Sequence, residues 1–296
     1  MAAPDERQPI ELLGPVTWQR VWRYTEDWAE EQIPMLLEEP LSLEINGHQV
    51  AVLMRLPGQE KELVAGFCLS EGLVPRFGDI FMIHHCGQGL PAPDEAQDAE
   101  GDALTSRNRI QVRVRPEALN PEARMEVVRL IRAGCGAVDV DRSELPLPHV
   151  TSPFRVDAET MLGMERTMRE AQVLHREVGG VHAVALFDAA GELIVLCEDV
   201  GRHNAVDKAV GHCLLRSIPL DDKIVLCSGR LSYEMVTKAI RVGLPVLCSV
   251  STPTALAVQI AEEFGLTLVG YLRGRRMTVY AHAERIVGVE EGAGHV

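Results

Sequence analysis

Apolar and polar residues first alternate cleanly at Leu41-Ser42-Leu43-Glu44-Ile45. Asn46-Gly47 follows, a pair that tolerates the positive φ a tight hairpin needs, and Val50-Ala51-Val52-Leu53-Met54 predicts the return strand. Pro57-Gly58 breaks the chain. Residues 61–70 then take helical spacing, with Leu63, Val64, Phe67 and Cys68 on one face. Residues 86–105 lose all periodicity: Gly87-Gln88-Gly89-Leu90-Pro91-Ala92-Pro93 leads into acidic residues from Asp94 to Asp102, the pattern of an exposed loop or insertion. Residues 109–114 predict a strand and 121–131 a helix. Ala133-Gly134-Cys135-Gly136-Ala137 is a small-residue loop, 139–153 a Pro-rich, charged linker, and 158–175 a Met-rich helix.

The second half is more regular. Strands are predicted at 183–187, 193–197, 223–227, 245–249, 267–271 and 278–281, and helices at 203–215, 232–242 and 254–264. The order β-β-α-β-α-β-α-β, with short apolar strands, indicates a helix-covered sheet that is largely parallel in its later part. Residues 1–35 are mixed and polar, with Trp18, Trp22 and Trp28 clustered, and read as an arm that packs on something.

Composition narrows the function classes. The 296 residues are 46% hydrophobic but only 4% aromatic, so the core rests on Val, Leu, Ile, Ala and Met. A net charge of −14 argues against a general nucleic-acid binder, whose affinity comes from neutralising phosphates, but allows a local basic pocket. The seven cysteines include no C-x-x-C pair, so neither a disulfide framework nor a zinc knuckle is indicated, and several sit in apolar runs as small buried hydrophobes. No secretory leader and no apolar run of about 18 residues is evident, which predicts a soluble, cytoplasmic protein.

Four loops carry the candidate chemistry. Glu198-Asp199-Val200-Gly201-Arg202-His203-Asn204 joins a strand to a helix; its glycine permits close backbone approach, Arg202 and His203 are donors to an anion, and Asn204 suits a helix cap. Ser228-Gly229-Arg230-Leu231-Ser232 repeats the pattern, and Ser249 to Thr254, with Ser251 and Thr252, is rich in hydroxyls. Tyr271-Leu272-Arg273-Gly274-Arg275-Arg276 adds three guanidinium groups. Singly, each reads as an ordinary turn. Their recurrence at the carboxyl ends of strands points to a pyrophosphate-bearing ligand, because guanidinium suits bidentate phosphate recognition. The turns are neither a P-loop nor a dinucleotide fingerprint. His182, after Gly179-Gly180-Val181, reads equally as a ligand-facing residue or a turn histidine.

With these motifs the chain resembles the formate dehydrogenase accessory sulfurtransferase family, FdhD. The resemblance rests on Gly179 to His182, on Glu198 to Lys208, on Ser228-Gly229-Arg230 with Ser232, Glu234, Met235 and Lys238, and on Pro253-Thr254 with Leu256-Ala257. Glu39-Pro40-Leu41, Asn46-Gly47, Met54-Arg55, Glu62 to Phe67 and Ser70-Glu71-Gly72 extend it through the first half. It implies a C-terminal cytidine-deaminase-like three-layer domain with a mixed sheet at 176–286. A smaller N-terminal α+β domain at 38–150, an arm at 1–37, a connecting helix at 151–175 and a tail at 287–296 complete the expected layout. It also implies a homodimer that accepts sulfur from a cysteine desulfurase as a persulfide. The sulfur passes to the molybdenum bis-(molybdopterin guanine dinucleotide) cofactor, bound as substrate, for formate dehydrogenase. Guanine nucleotides would be partial ligand mimics, and no metal would be bound directly. The implied cofactor segment falls on Tyr271 to Arg276. The zinc signature of the deaminases, H-x-E with P-C-x-x-C, is missing from this chain.

The family's mobile C-G-x-C-G loop corresponds to Arg132-Ala133-Gly134-Cys135-Gly136-Ala137-Val138, with a single cysteine. Cys135 matches either motif cysteine and is the expected sulfur carrier; Cys86, beside His84 and His85, is a weaker candidate. Three readings follow: a sulfurtransferase using Cys135, a cofactor chaperone without sulfur transfer, and a nucleotide-modifying hydrolase on the same fold.

Overall fold

A computed structural model describes residues 14–86, 107–120, 129–131 and 147–288. The chain opens with β1 (Val16–Tyr24) and β2 (Trp28–Leu36), an antiparallel hairpin. The expected polar arm is thus a strand pair. With side chains alternating along each strand, Trp18, Trp22, Tyr24 and Trp28 share one face. The three tryptophans are 65, 66 and 68% exposed in the single chain.

Next come β3 (Glu39–Ile45), β4 (His48–Arg55), α1 (Glu60–Ser70), β5 (Ile80–His85), β6 (Arg109–Val114) and β7 (Arg129–Ile131). The strands form a sheet in the order β5-β6-β3-β4-β7. Leu41, Leu43 and Ile45 of β3, Leu53 of β4 and Ile110 and Val112 of β6 make its core with Leu63, Val64, Phe67 and Cys68 of α1. The predicted helix over 121–131 fails at its end, where β7 pairs parallel to β4 through Ala51↔Arg129 and Leu53↔Ile131. Ladder bonds to a strand edge outweigh helical spacing in so short a segment. Residues 121–128 lie outside the described residues.

The segment expected to be a linker is held down over its described part. Leu147, Val150 and Phe154 are buried, Val150 N–H bonds to the Phe264 carbonyl, and Arg285 donates to the carbonyls of Val150 and Ser152. After β8 (Val156–Asp157), α2 (Ala158–Ala171) begins at the cap Asp157, whose carboxylate takes the Glu159 N–H. It stops short of the predicted 175 because Gln172 is extended. A separate turn, α3 (Leu174–Glu177), starts on the Glu198 carboxylate, which accepts the N–H groups of Val173, Leu174 and His175 at 2.8–2.9 Å.

The remaining elements are β9 (His182–Phe187), β10 (Leu193–Asp199), α4 (Arg202–Leu215), β11 (Ile224–Cys227), α5 (Tyr233–Arg241), β12 (Val246–Ser249), α6 (Ala255–Phe264), β13 (Thr267–Arg273), β14 (Arg276–Ala281) and β15 (Ile286–Val287). The sheet order is β10-β9-β11-β12-β13-β14. β11, β12 and β13 run parallel, and the other neighbours are antiparallel. Both faces are covered. Val184, Leu186, Val225 and Leu247 pack under α4, α5 and α6. Ala183, Ala185, Ile224, Leu226, Val246 and Cys248 pack under Met161, Met164 and Met168 of α2. The predicted alternation therefore stands as three layers with a mixed sheet.

The two sheets meet through α1 and α4. A methyl added at Gly66 would overlap the Asp207 carbonyl, and one at Gly211 would overlap the Glu62 carbonyl. The backbones touch there, which only glycine permits.

Candidate functional site

Strand direction gathers the predicted loops on one edge. Asp199 at the end of β10 lies opposite His182 at the start of β9, and Cys227 at the end of β11 lies beside Ser249 at the end of β12. The turns that follow are tied together. Ser228 Oγ accepts the Ala183 N–H at 2.9 Å, and Ser249 Oγ donates to the Gly229 carbonyl at 2.6 Å. Thr254 N–H bonds to the Leu231 carbonyl, and Tyr271 N–H to that of Ser251. Thr254 caps α6 by accepting the Ala257 N–H.

His182, Gly229, Arg202 and His203 form the polar centre of this edge. A Cβ at Gly229 would stand 3.1 Å from His182 Nδ1 and 3.8 Å from Arg202 Cδ, so glycine leaves room for both side chains. Burial, then the charges of Arg202 and His203, hold the His182 imidazole below its ordinary value. His203 Nε2 is 3.1 Å from Glu234 Oε2, within ion-pair distance but not aligned as a full hydrogen bond. His203 pulls the Glu234 carboxyl below the usual range, against burial. Ser232 Oγ donates to the same carboxylate at 3.4 Å. Ser232 itself is the residue before α5, and Arg230 is exposed at the turn. Glu234 was not singled out as a site residue; its signal was its place two residues after Ser232.

Part of the Glu198–Asn204 stretch is structural. Asn204 is not the cap of α4; Gly201 holds that position. The Asn204 amide instead donates to the Met54 carbonyl at 2.6 Å and to Asp199 at 3.0 Å. Asp199 also accepts the N–H groups of Leu56 and Gly201 and pairs with Lys208 at 2.7 Å. A second buried cluster lies one turn on. Lys238 Nζ is 2.9 Å from Asp207 and 2.6 Å from Glu71, and Ser70 Oγ bonds to Asp207 at 2.6 Å. Burial raises the Asp207 carboxyl despite Lys238. These networks join the end of β4 and α1 to the C-terminal sheet, and they engage the charged groups of Asp199, Lys208, Asp207 and Lys238.

The arginine segment lies at the β13–β14 turn. Leu272 is fully buried under α2, so only its main chain can meet a ligand. Tyr271 has φ +53°, and the ladder shifts register between Gly270 and Arg273. That bulge turns Tyr271 outward, with the Arg273 guanidinium 5.5 Å from its ring centre. Arg273, Gly274, Arg275 and Arg276 line a cavity of about 880 Å³ whose other wall is α2. The other predicted residues do not line that cavity.

Cysteine burial is selective. Cys68, Cys197, Cys213, Cys227 and Cys248 are buried, and Cys86 is half-buried. Burial pushes the thiols of Cys68, Cys197 and Cys227 up to about 12, that of Cys213 to about 11, and that of Cys248 well above its ordinary value. Cys135 lies outside the described residues. Among those described, no helix is long and apolar enough to cross a membrane.

Fold and site together define an α/β protein with two main sheets and a histidine- and arginine-bearing edge on the larger one. Residues 36–287 match the model of the FdhD/NarQ family. The chain is 39% identical over 269 residues to the sulfur carrier protein FdhD of Thermoplasma acidophilum, covering 88% of this chain and 89% of that one. With the sulfur carrier protein FdhD of Streptomyces coelicolor it shares 38% identity over 283 residues, 93% and 97% of the two chains. A solved structure of a candidate formate dehydrogenase accessory protein from Desulfotalea psychrophila superposes with a TM-score of 0.71 at 26% identity, covering 92% of this chain and all of that one. The chain belongs to the FdhD/NarQ family.

Proposed function

We propose that this protein is a sulfur carrier serving formate dehydrogenase. Cys135 accepts sulfur as a persulfide from a cysteine desulfurase. It passes the sulfur to a molybdenum bis-(molybdopterin guanine dinucleotide) cofactor held at the edge of the larger sheet. The relatives named as sulfur carriers support the first statement, and the arginine- and glycine-bearing turns support the second.

One geometric observation carries the placement. β7 runs parallel to β4 with Ile131 level with Leu53, so its end lies beside Met54 to Leu56. Those residues bond directly to Asn204, Asp199 and Lys208. Cys135 follows Ile131 by four residues, a tether of at most about 14 Å. The five buried thiols are poor nucleophiles, because the thiolate is the reactive form. Cys86 is the weaker alternative.

The chemistry is a transfer of sulfane sulfur. The Cys135 thiolate attacks the terminal sulfur of the donor persulfide, a new S–S bond forms, and the donor cysteine leaves as a thiolate. Release as sulfide needs an external low-molecular-weight thiol, since this loop has no second cysteine. The external thiolate attacks the inner sulfur of the Cys135 persulfide, a mixed disulfide forms and hydrosulfide leaves, and a second thiol then frees Cys135 as the external disulfide departs.

The mixed sheet between helix layers supports a cytidine-deaminase-like reading of 176–286, with 38–150 as the N-terminal part. A cytoplasmic homodimer that takes guanine nucleotides as partial cofactor mimics completes the proposal. In cells lacking their own family member, this chain is expected to restore formate dehydrogenase activity and Cys135→Ala is expected to fail. Full restoration by Cys135→Ala would remove the carrier role from that residue.

A further inference from the structure

The β13–β14 turn faces a partner wall with its own charge. Gly163, Glu165, Arg166 and Arg169 of α2 line the same cavity as Arg273, Arg275 and Arg276. Five guanidinium groups against the single carboxylate of Glu165 make one hollow strongly positive in a chain of net charge −14. Their carboxylate neighbours hold them loosely. Glu170 is 3.2 Å from Arg166, Glu165 is 3.7 Å from Arg169, and Glu159 is 3.9 Å from Arg275, all with largely exposed guanidinium side chains. Such surface pairs contribute little, so the arginines can turn to a better acceptor.

Gly163 is an independent sign. It sits inside a helix, where glycine is unfavourable relative to alanine. Among the described residues, and apart from the helix's own neighbouring backbone, no atom lies within 4 Å of where its Cβ would be, and its φ is not in the left-handed region. Neither packing nor backbone conformation requires glycine there. Its effect is to leave the helix surface bare toward the cavity.

We propose that the outer face of α2 is the second wall of an anion site that takes a diphosphate group. Arg166 and Arg169 grip from one side, and Arg273, Arg275 and Arg276 from the other. Gly163 lets the ligand approach the helix backbone. Residues three apart on a helix present their heads to the same side, and guanidinium pairs bind phosphate oxygens in bidentate fashion. The inference rests on the reading of the β13–β14 turn as a cofactor contact, and extends it to a helix outside that segment.

Calorimetric titration of the full chain with GDP tests it, with inorganic pyrophosphate as a second probe. Replacing Arg166 and Arg169 together with Ala is expected to weaken GDP binding by about tenfold or more. Pyrophosphate binding should fall in parallel. Gly163→Leu should also weaken GDP binding while the protein melts no lower than its parent. If the Arg273 and Arg275 double variant loses GDP but both α2 variants bind as the parent does, the second wall is refuted and the turn reading stands. If the parent itself binds neither GDP nor pyrophosphate, both readings fall.

Discussion

Asp199 and Lys208 form a buried ion pair, 2.7 Å apart and almost without solvent exposure, at the joint between the two sheets. Lys208 also donates to the Leu56 carbonyl at 3.0 Å, and Asp199 accepts the Leu56 N–H at 3.2 Å. The pair therefore clamps both polar groups of one residue just past β4. Removing one charge leaves the other buried without a counter-ion. Lys208→Met is expected to lower the unfolding free energy by about 3–5 kcal/mol, read from urea denaturation. A loss within the error of the parent value would show that the joint does not need the pair.

Three glycines on helices should respond with opposite signs. Gly66→Ala and Gly211→Ala force a methyl into the facing backbone. Each is expected to destabilise by about 3 kcal/mol or more, because two helices must move apart. Gly163→Ala meets open space and should stabilise by roughly 0.5–1 kcal/mol. Thermal melts of the three variants measure this directly, and equal behaviour would contradict the close crossing of α1 and α4.

His182 is expected to titrate below 6.5 in the folded protein, since burial and the charges of Arg202 and His203 disfavour its protonation. Its depressed value means that it contributes stability above its unfolded value, and that this is lost as pH falls through the folded value. NMR titration of the imidazole should give a midpoint below 6.5, and Arg202→Gln should move it upward. A midpoint at or above 6.5 would place His182 in a different environment.

Thiol labelling separates buried from available cysteines. Cys68, Cys197, Cys213, Cys227 and Cys248 should resist alkylation in the native protein, while all seven cysteines react after denaturation. Rapid native labelling of any of those five would overturn the narrowing to Cys86 and Cys135.

Much of the larger sheet was legible in the sequence. Ile224–Cys227 and Val246–Ser249 are short apolar runs between turns, and strands buried on both faces read that way. β5, β7 and the first hairpin were not legible. β5 and β7 are edge strands whose partners lie elsewhere in the chain, and the hairpin sends its tryptophans to the surface. The candidate loops were visible because Gly, Arg and hydroxyl residues recur at strand ends. Their division of labour was not. Asn204 reads as a helix cap until Met54, 150 positions earlier, takes its amide. Likewise Arg166 and Arg169 look like ordinary surface charges until the fold sets them beside Arg273 and Arg276.

The central claim is that Cys135 carries sulfur. The purified chain, incubated with a cysteine desulfurase and cysteine, should gain about 32 Da, one sulfur atom, on the peptide containing Cys135. That gain should disappear on reduction and be missing in Cys135→Ser. A protein that gains no sulfur on any cysteine would contradict the carrier account and leave the cofactor chaperone as the better reading.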